Sequence, residues 1–204
     1  MDQRLKKSLS KVAEFYDERK VGAVGPLGFR RSTDLMTLLA CIDRLIGEQI
    51  IKSDETAFLD LGCADGRVNL FFSYLVKISV GIELDEWTLE EYDPLRGELE
   101  NTLQQAGLIS PPENILLFHG DSTDKTLHDT ITRETGVGIE SFDLFYTYLI
   151  MHEEFAEMLA ERAKTGSIFM VYGLNKILPK YPGFRLLQNL SPMEGILALY
   201  QKEV

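Results

Sequence analysis

The sequence predicts an α/β fold: a doubly wound, three-layer sandwich on a mainly parallel seven-stranded sheet, with helices added at the N-terminus. Three observations predict it. From residue 57 onward, short apolar runs alternate with stretches of helical spacing. The run Phe58-Leu59-Asp60-Leu61-Gly62-Cys63-Ala64-Asp65-Gly66-Arg67-Val68 passes from a buried strand through a turn of small residues into a helix. Acidic residues then recur at the ends of successive strands, at Asp60, Glu83 and Asp121.

The elements follow in order. Leu5, Leu9, Val12, Ala13 and Tyr16 recur at helical spacing and predict an amphipathic first helix. Val21-Gly22-Ala23-Val24-Gly25-Pro26-Leu27-Gly28-Phe29 breaks it with three glycines and a proline. Ser32, Thr33 and Asp34 offer N-cap oxygens to a second helix through about Ile46. Neither helix has an evident sheet partner, so residues 1–50 read as a helical lid or flank and residues 51–204 as the main domain. A hinge beside Tyr16, Phe29 and Arg30 could close over the sheet edge.

Strands are expected over 57–61, 78–84, 114–120, 142–149, 167–173, 184–190 and 196–202, with helices over 66–76, 87–106 and 152–164. Runs such as Ile115-Leu116-Leu117-Phe118 and Phe142-Asp143-Leu144-Phe145-Tyr146 suit parallel strands covered on both faces. Repeated βα units imply right-handed crossovers, with ligands bound beyond the carboxyl ends of the strands. After Gly173 no helix is expected. Two strands around Ser191-Pro192-Met193-Glu194-Gly195 read as a closing hairpin, which makes at least one strand antiparallel.

The bulk properties narrow the functional classes. A chain of 204 residues suits one α/β domain. A net charge of -11 disfavours nonspecific nucleic-acid binding, and Arg19, Lys20, Arg30 and Arg31 read as a solvated basic cluster. Two cysteines, Cys41 and Cys63, make neither a disulfide framework nor a zinc site, and Cys63 reads as a compact filler of the turn. The N-terminal residues show no secretory signal, and no run reaches membrane-span length, so a cytoplasmic location is expected and the Asn189-Leu190-Ser191 sequon reads as chance.

The turn chemistry is more specific. A nicotinamide dinucleotide fingerprint needs a third small residue to let the helix pack on the strand, and Arg67 stands there instead. The carboxylates of Asp60 and Asp65 would repel a pyrophosphate and suit a cofactor carrying an amino group and a positive centre. Glu83 ends the second strand about 20 residues on, where a carboxylate can accept bonds from two ribose hydroxyls. Asp121 and Ser122 end the third strand, within reach of an adenine amino group, and the aromatics of Phe142-Asp143-Leu144-Phe145-Tyr146-Thr147-Tyr148-Leu149 would wall the site.

In this arrangement the chain resembles the class I S-adenosylmethionine-dependent methyltransferases over residues 57–202, roughly seven-tenths of its length. The resemblance implies a sheet order of 3-2-1-4-5-7-6 with strand seven antiparallel. It assigns Asp60, Gly62, Ala64, Asp65 and Gly66 to the methionine part of S-adenosyl-L-methionine, Glu83 to the ribose, Asp121 and Ser122 to the adenine, and Tyr146 to the wall. Ala64 stands where the family usually has glycine, a departure tolerated if the backbone there keeps a negative φ. Asp65-Gly66-Arg67 and Tyr146-Thr147-Tyr148-Leu149 are similar to a bacterial group related to small lysine methyltransferases, and the Asn-Pro-Pro-Tyr motif of amino-group DNA and glutamine methyltransferases is missing.

Tyr148 and His152 lie where a general base would stand, although His152-Glu153-Glu154 also reads as an ordinary helix opening. His119 is expected to pack at a strand end and His128 to lie on the surface. The acceptor is unidentified: a protein side chain, RNA or a small molecule. A nicotinamide-dependent oxidoreductase and a non-catalytic cofactor-binding protein are the alternatives, and no metal is expected.

Overall fold

The computed structural model describes residues 1–25, 28–30 and 32–204, with the backbone alone described over 22–25 and 28–30. Pro26, Leu27 and Arg31, and the side chains of Phe29 and Arg30, lie outside the described residues, so the parts of the expected break and basic cluster that fall on them do too.

Helix α1 (Gln3–Asp17) starts where the Asp2 carboxylate accepts from the Arg4 and Leu5 amides, and it buries Leu9, Val12, Ala13 and Tyr16 along one stripe. The glycine-rich stretch is a two-stranded antiparallel ribbon of β1 (Val21–Gly25) and β2 (Gly28–Arg30), where a plain break was expected. Helix α2 (Leu35–Gly47) is capped by Asp34, whose carboxylate accepts from the Thr37 amide at 2.7 Å. Asp17 adds a second cap, accepting from the Leu35 and Met36 amides. Ser32 and Thr33 therefore take other duties.

The sheet comprises β3 (Ala57–Leu61), β4 (Ile78–Glu83), β5 (Ile115–His119), β6 (Leu144–Tyr148), β7 (Ile168–Tyr172), β8 (Phe184–Leu186) and β9 (Leu197–Lys202). Its order is β5-β4-β3-β6-β7-β9-β8, with β9 antiparallel to both its neighbours and β3 to β7 mutually parallel. Counted within the sheet this is the expected 3-2-1-4-5-7-6. The chain runs outward from β3 to β5 and then returns to β6, so the switch point lies between β3 and β6.

Alternation along the strands divides the core. Phe58, Leu144, Tyr146, Met170 and Leu199 face a layer made by α1, α2, α3 (Arg67–Ser73) and α5 (Tyr92–Gln105). Leu59, Leu61, Phe145, Phe169 and Tyr200 face α6 (Lys125–Thr135) and α7 (His152–Arg162). The N-terminal helices thus share a core with the sheet, and no helix lies between β7 and β8.

Two local differences have clear causes. The helix expected over 87–106 is divided into α4 (Glu86–Leu89) and α5, because Pro94 lacks the amide to bond back to Glu90 and fits only in a first turn. Helix α6 was not expected: it is Thr-rich and buries only His128 and Ile131, so its apolar stripe is thin. Its caps, Asp124 and a left-handed Gly136, were the available signal. His128 is buried, at 3% exposure, and not on the surface.

Candidate functional site

A cavity of about 490 Å³ opens at the carboxyl ends of β3, β4, β5 and β6, where the switch point places ligands in such sheets. Its floor begins at the β3–α3 turn. The Gly62 and Cys63 amides both donate to the Ile82 carbonyl, at 2.9 and 2.8 Å, folding the turn back on β4. Gly62 has φ +96°, and a Cβ built there would meet nothing within 4 Å, so a ligand can come close to this backbone.

Ala64 lines the same cavity with φ +52°, in the left-handed region and not at the negative φ under which its alanine was expected to be tolerated. Its amide donates to Glu83 Oε2 at 2.8 Å, which holds the residue in that conformation. The other oxygen, Oε1, accepts from the Asp85 amide at 2.9 Å. Glu83 is thereby fixed at the cavity edge by two backbone donors.

The other turn residues divide by role. Asp65 and Gly66 do not line the cavity. Asp65, 1% exposed, pairs with Arg67, whose Nη2 reaches Oδ2 at 2.8 Å and whose Nε reaches Oδ1 at 3.0 Å. A Cβ on Gly66 would lie 2.6 Å from Tyr92 Cδ2 and 2.8 Å from Leu117 Cδ1, so this glycine serves the packing of α3 against α5 and β5. Cys63 is buried, and its thiol is pushed well up by that burial and by the carboxylates of Asp60, Glu83 and Asp65. A thiol kept protonated in this way is a filler, not a nucleophile.

Asp60, Asp121, Ser122, Tyr146 and Tyr148 also line the cavity. Asp121 Oδ1 accepts from the Thr123 amide and hydroxyl, both at 2.8 Å, and these bonds hold its carboxyl below the usual range. Tyr148 packs at 5.6 Å from the Tyr172 ring. His152 does not line the cavity: its Nδ1 meets the Tyr181 hydroxyl at 2.6 Å, on the side facing the β7–β8 loop. His119 sits at the strand end as expected, exposed, with Nε2 at 3.1 Å from the Leu84 carbonyl.

Ser32 and Thr33, expected only as capping oxygens, form part of the wall. The Thr33 and Tyr146 hydroxyls are 2.5 Å apart in a buried contact, and burial holds the Tyr146 phenol well above its ordinary pKa. Arg67 Nη1 donates to Ser32 Oγ at 3.1 Å, and its guanidinium lies 5.4 Å from the Tyr16 ring. The segment before α2 is thereby tied to the start of α3 and to β6. Nothing local in Ser32-Thr33 signals this; the contacts span 35 and 113 residues. Thr147 was also missed as a brace: its hydroxyl donates to the Leu61 carbonyl at 3.0 Å, tying β6 to β3.

No protein-family model and no curated sequence matches the chain. Among solved structures, it is similar to an RNA methyltransferase from Salinibacter ruber in complex with S-adenosyl-L-homocysteine. The TM-score is 0.51 at 15% identity, over 85% of this chain and 93% of that one. It is also similar to the rRNA methyltransferase AviRa from Streptomyces viridochromogenes, with a TM-score of 0.56 at 12% identity over 87% of each chain. At this distance the likeness concerns the fold, which is that of the class I S-adenosylmethionine-dependent methyltransferases.

Proposed function

We propose that this chain is an S-adenosylmethionine-dependent methyltransferase. The observation that carries the proposal is Glu83, held by two backbone amides at the end of β4 and facing a cavity floored by the unobstructed Gly62 turn. Asp60 and the Gly62–Ala64 backbone would hold the amino-acid part, Glu83 the ribose hydroxyls, and Asp121 with Ser122 the adenine, with Tyr146 behind them. Asp65 and Gly66 support this arrangement from beneath: the first by anchoring Arg67, the second by seating α3. A volume of about 490 Å³ lies within the range of small-molecule sites, and the carboxylates of Asp60, Glu83 and Asp121 suit a ligand with a positive centre and several donors.

When bound, such a cofactor presents a methyl group on a sulfonium for in-line displacement by an acceptor. The protein's own share is to orient and to exclude water. Glu83 accepts from paired hydroxyls and fixes the rotation of the ligand, while Thr33 and Tyr146 close the side toward α2. Tyr148 is the remaining candidate of the two considered for proton transfer, because it alone of the pair lines the cavity.

Residues 1–50 act as a flank that completes the wall, and residues 51–204 carry the cofactor site. The acceptor is a protein side chain, RNA or a small molecule; the charge of -11 counts against nonspecific nucleic-acid binding. No helix among the described residues is long and apolar enough to cross a membrane, and a cytoplasmic location belongs to the same reading. The test is calorimetry with S-adenosylhomocysteine, followed by transfer of labelled methyl from S-adenosylmethionine to fractionated lysate. Micromolar binding is expected, and no heat at high micromolar ligand refutes the proposal. Binding without transfer to any fraction would favour a non-catalytic role.

A further inference from the structure

The imidazole of His128 lies beneath the cavity wall, between two groups of fixed hydrogen-bonding character. Its Nε2 is 2.9 Å from the Ser122 carbonyl, which can only accept. Its Nδ1 is 2.5 Å from Arg162 Nη1, and a guanidinium can only donate. The proton must therefore sit on Nε2 and the lone pair on Nδ1. No other assignment satisfies both partners, so the ring in place is neutral. A second proton on Nδ1 would set N–H against N–H and place two cations together at a site where His128 is 3% exposed.

Ser122 is a wall residue of the cavity, and the ring that holds its carbonyl belongs to α6, one turn past the Asp124 cap. Arg162 belongs to the last turn of α7, the helix that brings Phe155 to the same cavity. The pair thus joins the Asp121–Ser122 loop to the helix behind β6. We propose that His128 is a positioning residue: its neutral Nε2–H tautomer, held by Arg162, keeps the Asp121–Ser122 wall in its binding position, and protonation of the ring releases that wall.

The charges around the ring set the direction. Burial opposes a proton most strongly and Arg162 from α7 adds to it, while the Ser122 carbonyl, Asp124 and Asp129 favour one. Asp121, on the loop, also interacts with the ring. The balance puts the imidazole below its ordinary value. The contact of Nδ1 with Arg162 is therefore present at neutral pH and is lost as pH falls through that lowered value; the N–H against N–H clash that replaces it displaces the ring, and the Nε2–H bond to Ser122 goes with it.

The proposal rests on the cavity taking an adenosyl cofactor, and its test separates the two ideas. Binding of S-adenosylhomocysteine is measured by calorimetry from pH 8 to about pH 5 for the wild type, His128→Gln, Arg162→Met and His119→Gln. The Gln carboxamide can still donate to Ser122 but does not titrate. Wild-type affinity should weaken as pH falls, approaching tenfold per pH unit once the ring titrates. His128→Gln should give a flat profile, and His119→Gln should keep the wild-type slope. Arg162→Met, which removes the donor that opposes a second proton, should flatten the profile, because Nε2–H then keeps its bond to Ser122 in either protonation state. A slope retained in His128→Gln or in Arg162→Met, or a flat wild-type profile, overturns the proposal. Nitrogen chemical shifts of the free protein at pH 7.5 supply a readout without ligand: Nε2 must carry the proton. If the shifts agree but S-adenosylhomocysteine fails to bind at any pH, the cofactor reading fails, and the positioning role falls with it.

Discussion

Replacing Glu83 by Gln tests the site most directly, because the change is nearly isosteric and alters only charge and donor pattern. In the protein, Oε2 accepts from the Ala64 amide and Oε1 from the Asp85 amide. The carboxamide keeps one acceptor oxygen and turns its NH₂ toward the other amide, leaving a backbone N–H without a partner at a residue 2% exposed. That costs about 1–3 kcal/mol of stability. On the ligand side one charge-assisted bond to a ribose hydroxyl is lost, worth about 1.5–3 kcal/mol, or roughly tenfold to a hundredfold in Kd. Calorimetry with S-adenosylhomocysteine reads the affinity, and urea unfolding reads the stability. An analogue lacking the ribose 2′-hydroxyl should bind the wild type more weakly and lose little further on the substitution. If Glu83→Gln binds S-adenosylhomocysteine within about twofold of the wild type, the ribose assignment is wrong.

Three other outcomes are expected. Arg67→Met strands the buried Asp65 carboxylate and should lower unfolding stability by about 3–5 kcal/mol, whereas Asp65→Ala made with it should recover a large part; equal losses in single and double variants refute the pairing. Ala64→Gly relieves an alanine at φ +52° and should raise stability by up to about 1 kcal/mol, while Gly66→Ala, driven against Tyr92 and Leu117 at φ +72°, should lower it by about 2 kcal/mol or more. Opposite signs in thermal melts are the check. Asp121 has its carboxyl lowered by the Thr123 bonds, so its contribution is present above pH 3.8, the ordinary value, and is lost as pH falls through the lowered folded value. Asp121→Asn should flatten that acid limb and lower the melting temperature at pH 7, with the difference from the wild type closing as pH falls.

The strand succession, the turn at Asp60–Gly66 and the acids at the strand ends were legible because each depends on local pattern. Apolar runs mark strands, and small residues mark a turn that a ligand can approach. The roles within that turn were not. Gly62 and Gly66 look alike in sequence, yet one faces open space and the other faces Tyr92. Asp65 and Asp60 look alike too, and both are buried, but Asp60 lines the cavity while Asp65 pairs with Arg67 outside it. His152 looked like a base beside β6, but the ring points to Tyr181.

The sequence by itself determined the fold class, the parallel sheet closed by a hairpin, and the sheet edge at which the cavity opens. Periodicity and turn chemistry are properties of neighbouring residues, so they can be read along the chain. Tertiary structure alone decided that α1 and α2 form part of a core layer, that Ser32 and Thr33 complete the cavity wall, and that His128 is buried between Ser122 and Arg162. Those outcomes depend on contacts such as Thr33 with Tyr146, 113 residues apart. Their partners are set by the packing of whole layers, and no local propensity records them.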